Sequence, residues 1–568
     1  SLDMQACMKL YSFAYNYNPL TNLNMGALPR IKSINMTVYT TLVYNISISG
    51  EVIENISIGQ NDSSIHGSGL TVKSLYCNTP KLKTLNIEHY TGDEIDFGMV
   101  PSVESISITN ASNLYDISYN NPNLKSFSID SCGSISTISL PQCPNLESVN
   151  ITSCNKLSDI ADINNSVNKK LQSVSISSCS NLLSVDFSNN PEFQSVSVSG
   201  CSNLTGVDLS DNLELQSVSI KSCSDISGVD LSDNPKLQSV SISGCSNLSG
   251  INLSGSTKLQ SITVSSCSNL SSIDLSDNPE LQSIHFSHNG LTSLDLSHNL
   301  KVNSIKLDSV KTLTYLNIGY NPILTSLTPI SGSGGLTNDG PSNFTLVAPL
   351  LKSLTLNECG GLVDITGCPE LTTLVCVPDG QKNSMTAFDL SKQTKLKSLT
   401  MQYMTSLRDL DLSHMSELTT LSIKSCSAMQ SINISGLSNL TSATVTINSA
   451  LTNLNASGCT QLTTLDCYNN AINSLDVSDC VALTTLNCYS NAINSLDVSN
   501  NVALKTLKCY SNLLESLDIS NNTAITSLDC SPNENLKTLY MKEGHTISKI
   551  NNKRDAGYIP DATEIIYK

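Results

Sequence analysis

Twenty-two residues separate Cys179 from Cys201, Cys201 from Cys223, Cys223 from Cys245 and Cys245 from Cys267, and the sequence around each cysteine is nearly the same. A fixed period of that length confines a chain to stacked units, because one unit cannot bury its apolar face alone. Inside a unit the pattern divides again. Leu215, Val218, Ile220 and Cys223, then Ile226, Val229, Leu231 and Asn234, both read L-x-x-L-x-L-x-x-(N/C). The pairs Val218/Ile220 and Val229/Leu231 enclose one residue each, the alternation of a short strand with one face inward. Coils stacked at about 4.8 Å would pair backbone groups between neighbours and align the inward side chains into continuous ladders. The N/C position falls where the chain bends after the strand. An inward Asn there can bond backbone groups left unpaired, and Cys is a small residue that is commonly buried.

Composition enters through what it excludes. The 568 residues are 39% hydrophobic and 14% charged, low for a compact domain, but the apolar residues are too regularly spaced for a disordered chain. The net charge of −17, from 31 Lys+Arg against 48 Asp+Glu, opposes a surface that neutralises phosphates or anionic lipid heads. Neither a nucleic-acid partner nor membrane insertion is expected. No stretch approaches the roughly 18 to 20 apolar residues of a membrane-spanning helix. No secretion signal opens the chain, which starts at Ser1 as a mature form with its address removed would.

The same grammar runs nearly end to end: Leu20, Leu23, Met25, Leu28 near the start, Leu351, Leu354, Leu356, Cys359 in the middle, and Leu418, Leu421, Ile423, Cys426 later. From Cys132 through Cys143 to Cys154 the step is eleven, so both half-turns use cysteine. Cys467, Cys488, Cys509 and Cys530 are 21 apart, and there the cysteine has moved to the last inward strand position. Roughly two dozen coils, on the order of 100 Å of stack, are expected. The pattern resembles the leucine-rich repeat, and "LTTLNCYSNAINSLDVSNNVA" is similar to the 21-residue cysteine-ladder repeats of internalin J-type bacterial surface proteins. The resemblance covers Leu20 to Met541. It implies a right-handed solenoid with a parallel β-sheet on the concave face, extended or turn segments on the convex face and little or no α-helix. It also implies a role in adhesion or recognition. The 22-residue repeats depart from it by carrying cysteine at the bend, and the cell-wall sorting tail is missing, so the mode of anchoring does not carry over.

The expected organisation is an N-terminal cap at 1–19, the solenoid at 20–541, and a C-terminal cap at 542–568 whose Ile559, Ile565 and Ile566 could lie against the last coil. Terminal coils need such covers over an open sheet edge. Irregularity is expected near 59–70, 328–350 and 377–390. The second, "TPISGSGGLTNDGPSNFTLVAPL" from Thr328 to Leu350, is rich in Gly, Ser, Asn and Pro and reads as a loop expelled from the stack.

Side chains that could carry chemistry are weighed against the repeat that generates them. The twenty cysteines show no C-x-x-C pair and no metal-like pairing with His. Parallel strand vectors do not favour the disulfide torsion of about 90°, so buried free thiols are expected. Asp186, Asp208, Asp230 and Asp274 form an outward row broken by Asn252. Stacked like charges repel, and a divalent cation could relieve this at Asp208, Asp230 and Asp274, with Asp211, Asp233 and Asp277 three residues on. The alternative is that these carboxylates bond local backbone at turns. Tyr468, Tyr489 and Tyr510 follow the ladder cysteines at the same 21-residue step and should face outward as a stripe, either stacking on itself or binding a ligand. The absence of Trp argues against a sugar-stacking platform. Of His285, His288 and His298, the first falls on a strand and the others at bends, a poor arrangement for one metal. No nucleophile elbow or phosphate loop is visible, and Ser and Asp are too abundant for a chance triad to mean anything. Asn-x-Ser/Thr sequons such as those at Asn247 and Asn269 are products of the repeat.

The expectation is therefore a non-enzymatic extracellular or cell-surface protein of a bacterium, without cofactor, probing a protein or glycan ligand on host or microbial surfaces as a monomer. The alternative is a passive spacer that displays another domain.

Overall fold

The computed structural model describes residues 2–4, 13–15, 22–26, 28–37, 45–59, 74–93, 95–97, 100–165, 167–310, 312–331, 342–356, 360–378, 385–547 and 563–568. Leu20, Cys7, Cys359, Ile559, the core of the three expected irregular stretches (60–70, 332–341 and 379–384) and most of the expected C-terminal cap lie outside the described residues. The chain divides into two compact units, Ser1–Ser283 and Ile284–Lys568.

Both units are built from the same coil. In the first, Ser217–Lys221 pairs in parallel with Ser195–Ser199 of the coil before and Ser239–Ser243 of the coil after, with Val218 opposite Val196 and Val240. The second half-turn makes a narrower parallel sheet, in which Gly228–Asp230 lies between Gly206–Asp208 and Gly250–Asn252. Val218, Ile220, Cys223, Ile226, Val229 and Leu231 all point inward and are buried. At about 1.5–3 kcal/mol for each large apolar side chain, burial repeated coil after coil is the main stabilising term.

The bends are paired as thoroughly as the strands. The N–H of Ser222 donates to the carbonyl of Ser243 at 2.7 Å, and that of Leu209 to Asp230 at 2.9 Å, each one coil on. The turn is made by one residue in the left-handed region directly before the N/C position: Ser222 (φ 53°) before Cys223, and Asp211 (φ 58°) before Asn212. The inward Asn does what its position suggests. Asn212 Nδ2 donates to the carbonyls of Leu209 and Phe187, and Asn234 Nδ2 to those of Leu231 and Leu209.

In the second unit the main sheet runs, among others, through Ser398–Gln402, Thr420–Lys424, Ser442–Thr446, Thr464–Asp466, Thr485–Asn487 and Thr506–Lys508, each parallel to the next. Among the described residues the only helical element in either unit is the 3-10 turn Ala161–Ile163, and no helix is long and apolar enough to cross a membrane. The architecture is a leucine-rich-repeat solenoid.

Two differences from the sequence reading stand out. Within the stretch Thr328 to Leu350, read from the sequence as an expelled loop, described residues form strands: Ser326–Ser331 pairs with Ser353–Leu356, and Ser342–Val347 pairs with Tyr315–Asn317 and Gly360–Gly367. The register shifts there, between Leu327 and Ile330 and within Ser342–Val347, but Phe344 and Leu346 are buried inward residues of an ordinary triplet. At the end of the chain, Glu564–Tyr567 joins the sheet as a parallel strand on Thr538–Met541. Ile565 is 39% exposed, so this segment attaches through backbone pairing rather than by laying that isoleucine against the last coil. Strand pairing also reaches before residue 20, where Leu2–Asp3 pairs with Leu23 and Asn24, and Phe13–Tyr15 with Ile34 to Met36.

Candidate binding surfaces

The tyrosine row lies in the second unit. Each Tyr follows an inward ladder cysteine and precedes a left-handed residue, Asn469, Ser490 or Ser511, so its ring leaves the coil at the bend beside the main sheet. Because Thr464, Thr485 and Thr506 are in register, the rings meet at the coil spacing. Tyr468 and Tyr489 stack with centroids 4.6 Å apart and planes at 5°, and Tyr489 and Tyr510 with centroids 4.3 Å apart at 10°. Their faces are therefore closed against one another, and what remains outward is a row of ring edges and phenol groups. Partial burial, followed by the neighbouring phenols, raises the Tyr489 hydroxyl well above the usual tyrosine range, and burial raises that of Tyr510. Both stay protonated and able to donate near neutral pH.

The aspartate row is real as a ladder and is occupied by its own coil. Asp186 is opposite Asp208, and Asp208 opposite Asp230, in the second sheet, whereas Asp274 lies outside any strand. Oδ1 of Asp208 accepts the backbone N–H of Ser210 at 3.0 Å and its hydroxyl at 2.8 Å; Asp230 is bonded in the same way by Ser232, and Asp274 accepts the N–H of Ser276 at 3.0 Å. The Asp-x-Ser repeat thus shapes the bend. Asp211 and Asp233 are the left-handed residues of that bend. Among the described residues no three His, Cys, Asp or Glu side chains converge as around a metal ion.

Beside the aspartates runs an open groove of about 900 Å³. Gly206, Gly228 and Gly250 form one side of it, and a Cβ added at any of them would meet nothing within 4 Å. The sequence reading passed over this glycine row. Its only signal was that Gly recurs at an outward strand position where every other coil places Ser, Thr or a larger residue. On the main sheet of the same unit, the first outward position is Ser or Thr on every strand from Thr84 to Ser261. The result is a continuous row of hydroxyls along a shallow groove of about 520 Å³, with Asn150 also in its lining. The tyrosines line neither of these grooves; they form a ridge.

The eighteen described cysteines are all buried as thiols, not joined in disulfides. In the ladder of the first unit each thiol reaches the carbonyl two residues back, as Cys223 Sγ does to Lys221 at 3.3 Å, and neighbouring thiols such as Cys179 and Cys201 also bond each other. Burial pushes Cys132 and Cys426 up to about 11 and Cys530 to about 12. Thiols with so little thiolate character are poor nucleophiles. His285 sits on strand Ser283–Ser287 with Nε2 3.2 Å from Asp308 Oδ2, His288 occupies the left-handed bend, and His298 Nδ1 faces the Ser297 hydroxyl at 3.3 Å.

No protein-family model and no curated protein matches the chain. Solved structures do. The functional domain of InlJ from Listeria monocytogenes, which includes a cysteine ladder, is 20% identical over 66% of this chain and 75% of that one, with a TM-score of 0.24. YopM from Yersinia enterocolitica is 15% identical over 99% of this chain and 92% of that one, with a TM-score of 0.31. A leucine-rich repeat protein from Bacteroides ovatus is 15% identical over 62% of this chain and 85% of that one, with a TM-score of 0.29.

Proposed function

We propose that the chain is a non-catalytic binding scaffold that works outside a bacterium or on its surface. The ridge of Tyr468, Tyr489 and Tyr510 is its ligand-facing edge, and its ligand is a protein or glycan of a host or microbial surface, met by a monomer. The observation that carries this reading is the stack itself. Three amphipathic side chains are held in line by in-register coils, so their hydroxyls are presented with little rotamer freedom left to lose on binding. Among the described residues no other three aromatic rings stack in a row. The thiols are buried, and the aspartates next to the glycine groove are engaged by their own turns.

The test is capture of labelled surface extracts, host and microbial, on the immobilised chain. The Tyr468→Ala, Tyr489→Ala, Tyr510→Ala triple variant should lose at least tenfold of the capture while its far-UV spectrum and cooperative melting persist. Unchanged capture would remove the ridge from the account.

The first unit's main sheet favours a second reading for that part of the molecule. A face whose first outward row is Ser and Thr throughout suits a spacer that displays another domain. Deleting coils of the first unit should then leave capture in solution intact.

A further inference from the structure

The bend after each main-sheet strand places one residue at positive φ. Along the second unit these include Ser425 at 57°, Ile447 at 62°, Asn469 at 54° and Ser490 at 54°. Serine and asparagine tolerate this region. For a β-branched residue it is a genuine outlier that costs stability. Burial offsets this cost only in part, since Ile447 is 41% exposed. Its one local bond, from the backbone N–H to the Tyr468 carbonyl at 3.2 Å, would be made equally by Asn or Ser. Next to it, Thr446 occupies in its coil the place that Tyr468 holds in the following one, two residues beyond the paired Thr444 and Asp466. Thr446 is fully buried and its hydroxyl has no hydrogen-bond partner, a further local cost. Strain, an exposed aliphatic group and an orphan hydroxyl thus meet where the tyrosine ridge begins.

We propose that Ile447 and the edges of Tyr468, Tyr489 and Tyr510 form one contact line for an extended, net basic segment of a partner protein carrying a bulky aliphatic side chain for Ile447. This rests on the reading of the tyrosine ridge as the binding edge. The aliphatic requirement follows from Ile447, which can offer only burial and dispersion. The basic character follows from charge. The chain carries −17 overall, and in the strand row beside the ridge, Asp466, Asn487, Lys508 and Asp529, two carboxylates face one ammonium. A complementary charge speeds encounter and selects the partner. The extended form follows from the line itself, which crosses coils about 4.8 Å apart and is one side chain wide. Both faces of Tyr489 and the inner faces of Tyr468 and Tyr510 are taken up by stacking, which leaves a sugar ring little tyrosine face to lie on.

The experiment pans a phage-displayed random peptide library against the full chain and measures the affinity of enriched synthetic peptides for wild type, Ile447→Asn, and the tyrosine triple variant. Enriched peptides should be net basic with a recurring bulky aliphatic residue. Ile447→Asn should weaken them at least tenfold while raising the melting temperature, because Asn relieves the bend. A purely structural isoleucine would not separate those two readouts in that direction. Peptides that bind Ile447→Asn as tightly as wild type, enrichment of acidic sequences, or a lowered melting temperature would each overturn the proposal. In those cases the scaffold reading survives if the tyrosine variant still loses binding. Retention on a glycan array through the tyrosines, with no peptide enriched, would keep the ridge and replace the partner.

Discussion

Asn212 accepts the backbone N–H of Asn190 on its Oδ1 at 2.8 Å, while its own Nδ2 donates to the carbonyls of Leu209 at 2.8 Å and Phe187 at 3.1 Å. One buried side chain therefore satisfies backbone groups of two coils, and Asn234 repeats the arrangement on Asn212. This is why the repeat can dispense with helices on its far side: the carbonyls at the bend find partners without them.

Replacing Asn212 by Leu should strand the Asn190 N–H in the interior and leave the carbonyls of Leu209 and Phe187 to their remaining donors, Asn234 and Asn190. At about 1–3 kcal/mol for a buried unsatisfied group, the loss should be of that size, read as a lowered denaturant midpoint. Asn212→Ser should cost less, because Ser256 already serves at the equivalent bend with its hydroxyl on the Leu231 carbonyl at 2.8 Å. A loss below about 1 kcal/mol for Asn212→Leu would contradict the ladder's role.

Acid should loosen the second unit through its Asp-x-Ser bends. The N–H and hydroxyl of Ser391, Ser413, Ser478 and Ser499 hold the carboxyls of Asp389, Asp411, Asp476 and Asp497 below the usual range. A carboxyl whose folded value is depressed contributes stability above its unfolded value, about 3.9, and loses it as pH falls through the folded value. The melting temperature should be insensitive to these groups from pH 7 to about 5 and drop below about pH 4. Ser499→Ala should flatten the acid limb. Melting curves across that range check both.

Thiol chemistry should follow burial. The eighteen described cysteines should resist a thiol reagent in the native protein at pH 8. All twenty of the sequence should react once it is denatured without reductant. Extensive blockage after denaturation would mean disulfides that the parallel coils do not favour.

Much of this was legible in the sequence because the period writes the same physics many times. Leu215, Val218, Ile220 and Cys223 declare an inward strand and a bend, and the structure buries all four. Asp186, Asp208 and Asp230 align in the second sheet, and the bonding of Asp208 and Asp230 to the bend follows from the serine two residues on. The left-handed bend was not legible, since Ser222 carries no mark of its φ; only Gly200 and Gly244 at the same place hint at it. The extent of the loop before Leu350 was overread because Gly, Ser and Pro around Phe344 and Leu346 hid an ordinary triplet. The tyrosines were visible as a stripe, but whether their faces would be open depended on ring torsions that spacing alone does not determine. Ile447 looked unremarkable until its backbone was seen.

The glycine row of the first unit supplies a further check. Gly228→Thr adds a β-branched side chain to a strand where nothing obstructs it. It should raise stability by up to about 1 kcal/mol without altering capture by the tyrosine ridge. Lost capture would show that the groove beside Asp208 and Asp230 takes part in binding.

The most direct measurement concerns the hydroxyl edge. The Tyr468→Phe, Tyr489→Phe, Tyr510→Phe triple variant keeps three stackable rings and removes only the outward polar groups. The account predicts melting close to wild type together with capture reduced at least tenfold. Capture equal to wild type, with melting unchanged, would contradict it, because the ridge would then contribute nothing through the groups it presents.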